Sequence, residues 1–220
     1  MPRRESAKAE RRSRIVEAAA ALVRETGFED TAMTDIAARA GVSPATLYNL
    51  FQTKRAIFRE VFDEDLARFT DKVRAASASG PTDRIFVAID IAASLYRRNP
   101  KFYRAMAHAL DTPLSRAISE PRRSFWEKMV RGAVDAGELR ASTQPHLLGG
   151  VLTQIIRGHF LDWAAGEIGV ERLAKETGYG FAVALYAHAA KATSLHVATR
   201  MEKLEHALAR DGARRQRRGG

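Results

Sequence analysis

The sequence contains no cysteine, which excludes disulfides, thiolate nucleophiles and cysteine-built metal sites. Proline is scarce, with seven in 220 residues, and no run alternates apolar and polar side chains as a half-buried strand would. Long apolar runs are missing too. The uncharged stretch Gly178 to Ala190 has 13 residues, short of the roughly 20 that a bilayer-spanning helix needs. The basic start, Met1 to Arg14, is followed by alanines that Glu17, Arg24 and Glu25 interrupt, so it has no signal-peptide core. A soluble, cytoplasmic protein is expected, with no membrane partner. Chemistry-bearing motifs are equally absent. There is no Gly-rich phosphate loop and no His-Glu-x-x-His pattern. His188 and His196 stand eight residues apart, about 12 Å along a continuous helix, too far to share a metal ion. The expectation is a protein that is not an enzyme and carries neither metal nor cofactor.

What is present is charge at the two ends. Residues 1–14 hold six Arg/Lys against two Glu, a net of +4. Residues 200–220 hold seven against three, again +4, so only +2 of the total +10 is spread over the 185 residues between. Basic ends on a nearly neutral body suit a polyanion, which attracts Lys and Arg through counterion release. Solvated tails are the plainer alternative, above all for Arg214, Arg215, Arg217 and Arg218.

Helical periodicity runs through the chain. A first helix is expected from about Ser6 to Glu25, with Ile15, Ala19, Leu22 and Val23 inward, ending at Gly27. Thr31 is placed to cap a short helix reaching Ala40, which Gly41 terminates. Ser43-Pro44 opens another as far as Phe51, and Thr53 caps a fourth to about Ala76. Ser77-Ala78-Ser79-Gly80-Pro81 reads as a linker. Further helices are expected near 82–98, 101–110, 114–137, 145–166, 170–191 and 194–210. The fold class is therefore all-α, with an N-terminal three-helix helix-turn-helix domain joined to a larger helical bundle. The domain limits are 9–69 (helix-turn-helix about 32–51) and 70–210, with 1–8 and 211–220 as basic flexible tails.

Function concentrates in residues 31–54: Thr-Ala-Met-Thr-Asp-Ile-Ala-Ala-Arg-Ala-Gly-Val-Ser-Pro-Ala-Thr-Leu-Tyr-Asn-Leu-Phe-Gln-Thr-Lys. Two short helices meet at a glycine turn, Val42, Leu47 and Phe51 build a shared core, and Ala45, Thr46, Tyr48 and Asn49 face outward. Small and hydrogen-bonding side chains on a short helix fit the major groove, where asparagine suits adenine and a threonine methyl suits thymine. The run Ile36-Ala37, Gly41-Val42-Ser43, Thr46-Leu47-Tyr48, Phe51 and Lys54 closely resembles the DNA-binding domain of the TetR family of bacterial regulators over residues 9–69. The resemblance implies phosphate contacts from Thr46, Tyr48 and Lys54, base contacts from Thr34, Ala45 and Asn49, and a helix start at Ser43 and Pro44 within the interface. Leu50 stands where many members carry histidine. Partial burial of Tyr48, a surface role for Lys54 and simple solvation of Thr34 and Asn49 are the plainer readings. The N-terminal basic segment is expected to reach phosphates or the minor groove as an arm.

The C-terminal part is less specific. Leu148, Leu152, Ile155 and His159 mark one face of the helix expected at 145–166, and Leu147, Val151 and Gly158 mark another. A helix apolar on two faces is covered on two sides, one of them by a second subunit. The resemblance implies the same homodimer, through about 145–191. The step Val197, Met201, Leu204, Leu208 is read as packing on its own subunit. Tyr96, Phe102, Tyr103, Met106, Phe125, Trp126, Met129 and Trp163 form either core or the wall of an apolar ligand pocket, with Gln154 and His159 as polar anchors. Together these observations predict a homodimeric transcriptional repressor that binds double-stranded DNA and is released by a small-molecule effector. A DNA-binding regulator or organiser without a ligand is the alternative.

Overall fold

The computed structural model describes residues 2–110 and 115–219, and among them every regular element is a helix. These are α1 (Pro2–Thr26), α2 (Met33–Ala40), α3 (Pro44–Leu50), α4 (Lys54–Ala75) and α5 (Pro81–Arg98), then α6 (Pro100–Leu110), α7 (Ser115–Asp135), α8 (Pro145–Ala165), α9 (Val170–Tyr186) and α10 (Lys191–Gly219). The punctuation follows the expected chemistry. Gly27, Gly41, Gly137 and Gly166 all adopt positive φ, the left-handed conformation glycine takes without steric cost. Thr53 Oγ1 accepts the Ala56 N–H at 3.2 Å and caps α4. None of the described helices is long and apolar enough to cross a membrane.

The chain forms two compact units, Met1–Arg68 with Arg98–Pro121, and Phe69–Arg97 with Arg122–Gly220. The first packs Ile15, Ala19 and Val23 of α1, Ile36 and Ala37 of α2, Leu47 and Phe51, and Ile57, Phe58, Val61 and Phe62 of α4, all buried. At about 1.5–3 kcal/mol for each large apolar side chain, this core holds the short α2 and α3, which are too brief to be stable alone. The second unit buries Ile85, Phe86 and Ile89 of α5, Trp126 and Val130 of α7, Leu148 and Leu152 of α8, Phe181 and Leu185 of α9, and Val197 of α10.

Several expectations need correction. Residues 98–121, expected in the C-terminal domain, group with the first unit. Lys101 bonds the Glu25 carbonyl at 2.8 Å, the Phe102 ring meets Phe62 at 6.1 Å, and Tyr103 Oη donates to Asp65 at 3.0 Å. Phe69, expected to close the first domain, instead packs at a tilt against Phe125, ring centres 5.0 Å apart, within the second unit. Thr31 does not cap α2: it is buried and its hydroxyl donates to the Gly27 carbonyl at 2.7 Å, while Ala32 holds the N-cap position with no side-chain bond. The two tails expected to be flexible are helical, α1 from Pro2 and α10 to Gly219. No internal proline interrupts either helix, and Ser6 bonds Glu10 at 3.1 Å one turn away.

The helix expected over 170–191 ends at Tyr186. Its break is made by pairing: the Arg140 N–H donates to the His188 carbonyl (2.9 Å), the Ala190 N–H donates to the Glu138 carbonyl (3.0 Å), and Leu139 and Ala189 form an isolated antiparallel bridge. No glycine or proline marks this stop, so it is invisible in local sequence.

Candidate nucleic-acid interface

Interface geometry begins at Gly41. Its left-handed backbone lets its own N–H reach the Ala38 carbonyl at 3.2 Å and lets the Val42 N–H reach the Ala37 carbonyl at 3.0 Å, closing α2 and turning the chain into α3. Ser43 then caps α3, its Oγ accepting the Thr46 N–H at 3.1 Å and lying 2.9 Å from Thr46 Oγ1. The two hydroxyls fix each other's orientation beside the free N–H groups of the first turn, where a phosphate is favoured. Leu47 points into the core at 0% exposure while Tyr48 is 50% exposed. Ser43, Pro44, Ala45 and Asn49 are exposed on the same short helix, Thr46 is half-buried, and Thr34 on α2 is exposed. Seven of the eight residues expected to touch DNA thus sit at the accessible surface of α2 and α3 or at the edge of it.

Lys54 is placed differently. Its Nζ donates to the Glu29 carbonyl at 3.2 Å and lies 4.4 Å from the centre of the Phe28 ring. Burial pushes its ammonium below the ordinary lysine range, against the opposing pull of Glu29 and Asp30. The ammonium has three donors, so two remain for a phosphate while the first ties α4 to the turn after α1.

Sequence reasoning missed Arg12, which it counted only as tail charge. Arg12 Nη1 donates to the Leu50 carbonyl at 3.0 Å, Nη2 pairs with Glu60, and the guanidinium lies 4.1 Å from the Phe51 ring centre. It therefore holds the last turn of the candidate recognition helix against α1 and α4. A signal was available, since Arg12, Val16, Ala19 and Val23 recur at helical spacing on the buried side of α1.

The expected ligand-lining residues separate. Phe102, Tyr103 and Met106 are buried in the first unit. In the second, Tyr96 stacks on Trp163 at 5.3 Å and meets Phe160 at 5.1 Å. Phe125 and Trp126 pack edge-on at 4.9 Å, and Trp126 meets Phe181 at 5.0 Å, with Met129 half-buried on the same helix. Gln154 and His159 line an open groove of about 620 Å³ with Gly158 and Tyr179, and His159 Nδ1 lies 3.1 Å from Thr177 Oγ1. The polar pair expected to anchor a ligand thus lines a solvent-open groove.

α8 is two-faced as its sequence requires. Leu148 and Leu152 are buried, whereas Leu147 (60%) and Val151 (49%) are exposed, as are Val183 (45%) and Tyr186 (48%) of α9. Gly149 permits the close approach of α7, because a Cβ there would fall 2.7 Å from the Glu127 backbone.

A helix capped by Ser43 and turned out of the Gly41 corner, with its polar face open, completes a helix-turn-helix. Residues 15–61 match the family model for bacterial regulatory proteins, tetR family. It is 33% identical over 105 residues to the HTH-type transcriptional repressor KstR of Mycolicibacterium smegmatis, covering 47% of this chain and 52% of that protein. The KstR repressor of Mycobacterium tuberculosis is 29% identical over 116 residues, 52% of this chain and 53% of that one. The chain thus matches the curated relatives over about half their length. Among solved structures, Thermus thermophilus FadR, a TetR-family repressor in complex with lauroyl-CoA, superposes with a TM-score of 0.67 at 25% identity, covering 82% of this chain and 96% of that one. A TetR regulator from Rhodococcus sp. RHA1 gives 0.67 at 23% identity, with 80% and 96% covered.

Proposed function

We propose that the protein is a cytoplasmic, homodimeric transcriptional repressor. Its N-terminal helix-turn-helix module reads a near-palindromic operator, and a small, largely apolar effector bound by the helices that follow releases it. The observation that carries this reading is the α3 surface: Ala45, Thr46, Tyr48 and Asn49 at or near the surface on a helix locked from behind by Leu47, Phe51 and Arg12. Thr34, Ala45 and Asn49 take the base edges. Ser43, Pro44, Thr46, Tyr48 and Lys54 take the backbone. The exposed apolar residues of α8 and α9 support a two-fold dimer, which matches two half-sites about one or more helical turns apart.

Release requires only that effector and operator favour different conformations, and each then weakens the other by the same factor. The tethering of α6 to α1 by Lys101 and Phe102 supports a route, since a shift of α6 is felt at the root of the DNA-binding helices. The aromatic clusters of the second unit, and the acyl-CoA held by a structural neighbour, support an apolar ligand. The test is selection of duplexes from a random pool by the full-length protein, followed by metabolite screening for release of the selected duplex. A palindromic site and a releasing compound are expected. Failure to enrich any sequence would refute the reading.

A further inference from the structure

We propose that the N-terminal turns of α1 act as a rigid phosphate rail, in which Lys8, Arg11 and Arg14 grip the DNA backbone beside the site read by α3, outside both grooves. This rests on the DNA-binding reading above and adds a second contact surface to it.

Four observations carry the proposal. Lys8, Arg11 and Arg14 recur every three residues on a continuous 25-residue helix, so at 100° per residue they share an arc of about 120°. All three are exposed, and none has an ion-pair or side-chain hydrogen-bond partner among the described residues. Glu5 and Glu10 fall outside that arc, and Glu10 is engaged by Ser6. The Lys8 edge of the arc lies near the reading head: Arg12, held on the Leu50 carbonyl at the end of α3, is one turn, about 6 Å, beyond Lys8 and about 40° round the helix from it.

The third observation is electrostatic. Residues 15–60 carry five basic against six acidic side chains, a net of −1, so the helix-turn-helix body itself supplies no long-range attraction to a polyanion. The unpaired bases of α1 do. The fourth is steric. A helix with its side chains is about 10–12 Å across, whereas the minor groove is about 6 Å wide. The segment expected to enter that groove as an extended arm therefore cannot do so as the helix it is. Backbone phosphates are what remains within reach, and they carry no base identity.

The experiment uses full-length protein and a duplex enriched by the wild type from a random pool, titrated by anisotropy at salt concentrations between about 50 and 200 mM. The variant is Lys8→Gln with Arg11→Gln, glutamine being a good helix former. Arg14→Gln is a second variant, read the same way if the first misfolds by circular dichroism. A charge-matched control, Lys191→Gln with Lys203→Gln, lies in the second unit. The rail predicts a salt slope shallower by about 0.9 for each lost phosphate contact, an unchanged selected sequence and an unaffected control. Exchanging A·T for G·C pairs in the flanks should leave affinity unchanged. An unchanged slope would overturn the rail, and so would a loss that depends on flank composition, which marks a minor-groove arm. If the wild type enriches no duplex, the DNA-binding reading itself falls, a result distinct from either.

Discussion

The ammonium of Lys101, at the start of α6, donates to the backbone carbonyl of Glu25 in the last turn of α1, 2.8 Å away. Carbonyls at a helix C-terminus lack intrahelical donors, so this bond does for α1 what a capping residue would do. Beside it, the Arg24 guanidinium lies 5.2 Å from the Phe102 ring centre. Lys101→Met keeps the stem and removes the donor. It is expected to lower the stability of the protein by about 0.5–1.5 kcal/mol in denaturant titration, and to reduce the extent to which an effector weakens DNA binding. Full effector response in this variant would remove α6 from the route.

Arg12 makes three contacts with a side chain about one-third exposed, so its ion pair with Glu60 is screened and the bond to the Leu50 carbonyl carries most of the effect. Arg12→Ala should destabilise the protein by about 1–3 kcal/mol. It should also accelerate amide exchange in α3 selectively, which hydrogen-exchange mass spectrometry reads. Arg12→Lys keeps charge but loses the two-pronged geometry and should recover less than half of the loss.

Lys54 is a charge held partly out of water, and burial lowers its folded pKa below that of the unfolded chain. Between the two values the unfolded state binds more protons, so stability rises with pH through that alkaline window. Lys54→Met should flatten this rise and stabilise the free protein slightly, while weakening operator binding and the salt slope by about 0.9 per lost contact per site. Equal pH profiles for the two proteins would refute the account.

Asn49→Ala should relax preference at one base position in each half-site, at a cost of about 1–3 kcal/mol. Binding to a panel of single-base operator variants measures it, and a uniform loss across the panel would show that Asn49 is not a reader.

Val151 is 49% exposed on α8. Val151→Glu is expected to yield monomers by light scattering and to abolish tight operator binding, because each half-site is then held alone. A variant that remains dimeric would move the interface off this face.

The first four helices were largely legible because their limits are set by local chemistry: glycine at 27 and 41, Ser43-Pro44, Thr53. Thr31 misled because its hydroxyl had two satisfying partners, the next helix and the preceding glycine carbonyl, and sequence does not rank them. The membership of α6 was hidden for a different reason. Its aromatic residues are compatible with either unit, and only long-range partners such as Glu25, Phe62 and Asp65 decide. The outward face of α3 was readable from helical spacing, whereas Arg12 was masked by the five other basic residues around it.

The 25 residues of α1 form one uninterrupted rod that is gripped by Lys101 near one end and carries free cations near the other. From Glu25 to Lys8 is about 25 Å at 1.5 Å per residue. A tilt of about 5° imposed at Glu25 therefore sweeps Lys8 sideways by about 2 Å, some two thirds of the ~3 Å length of a hydrogen bond. Such a lever amplifies a small displacement of α6 into one large enough to unseat a charge from a phosphate. Its gain depends on stiffness, so inserting a glycine pair in the middle of α1 would shorten the stroke while leaving both handholds in place.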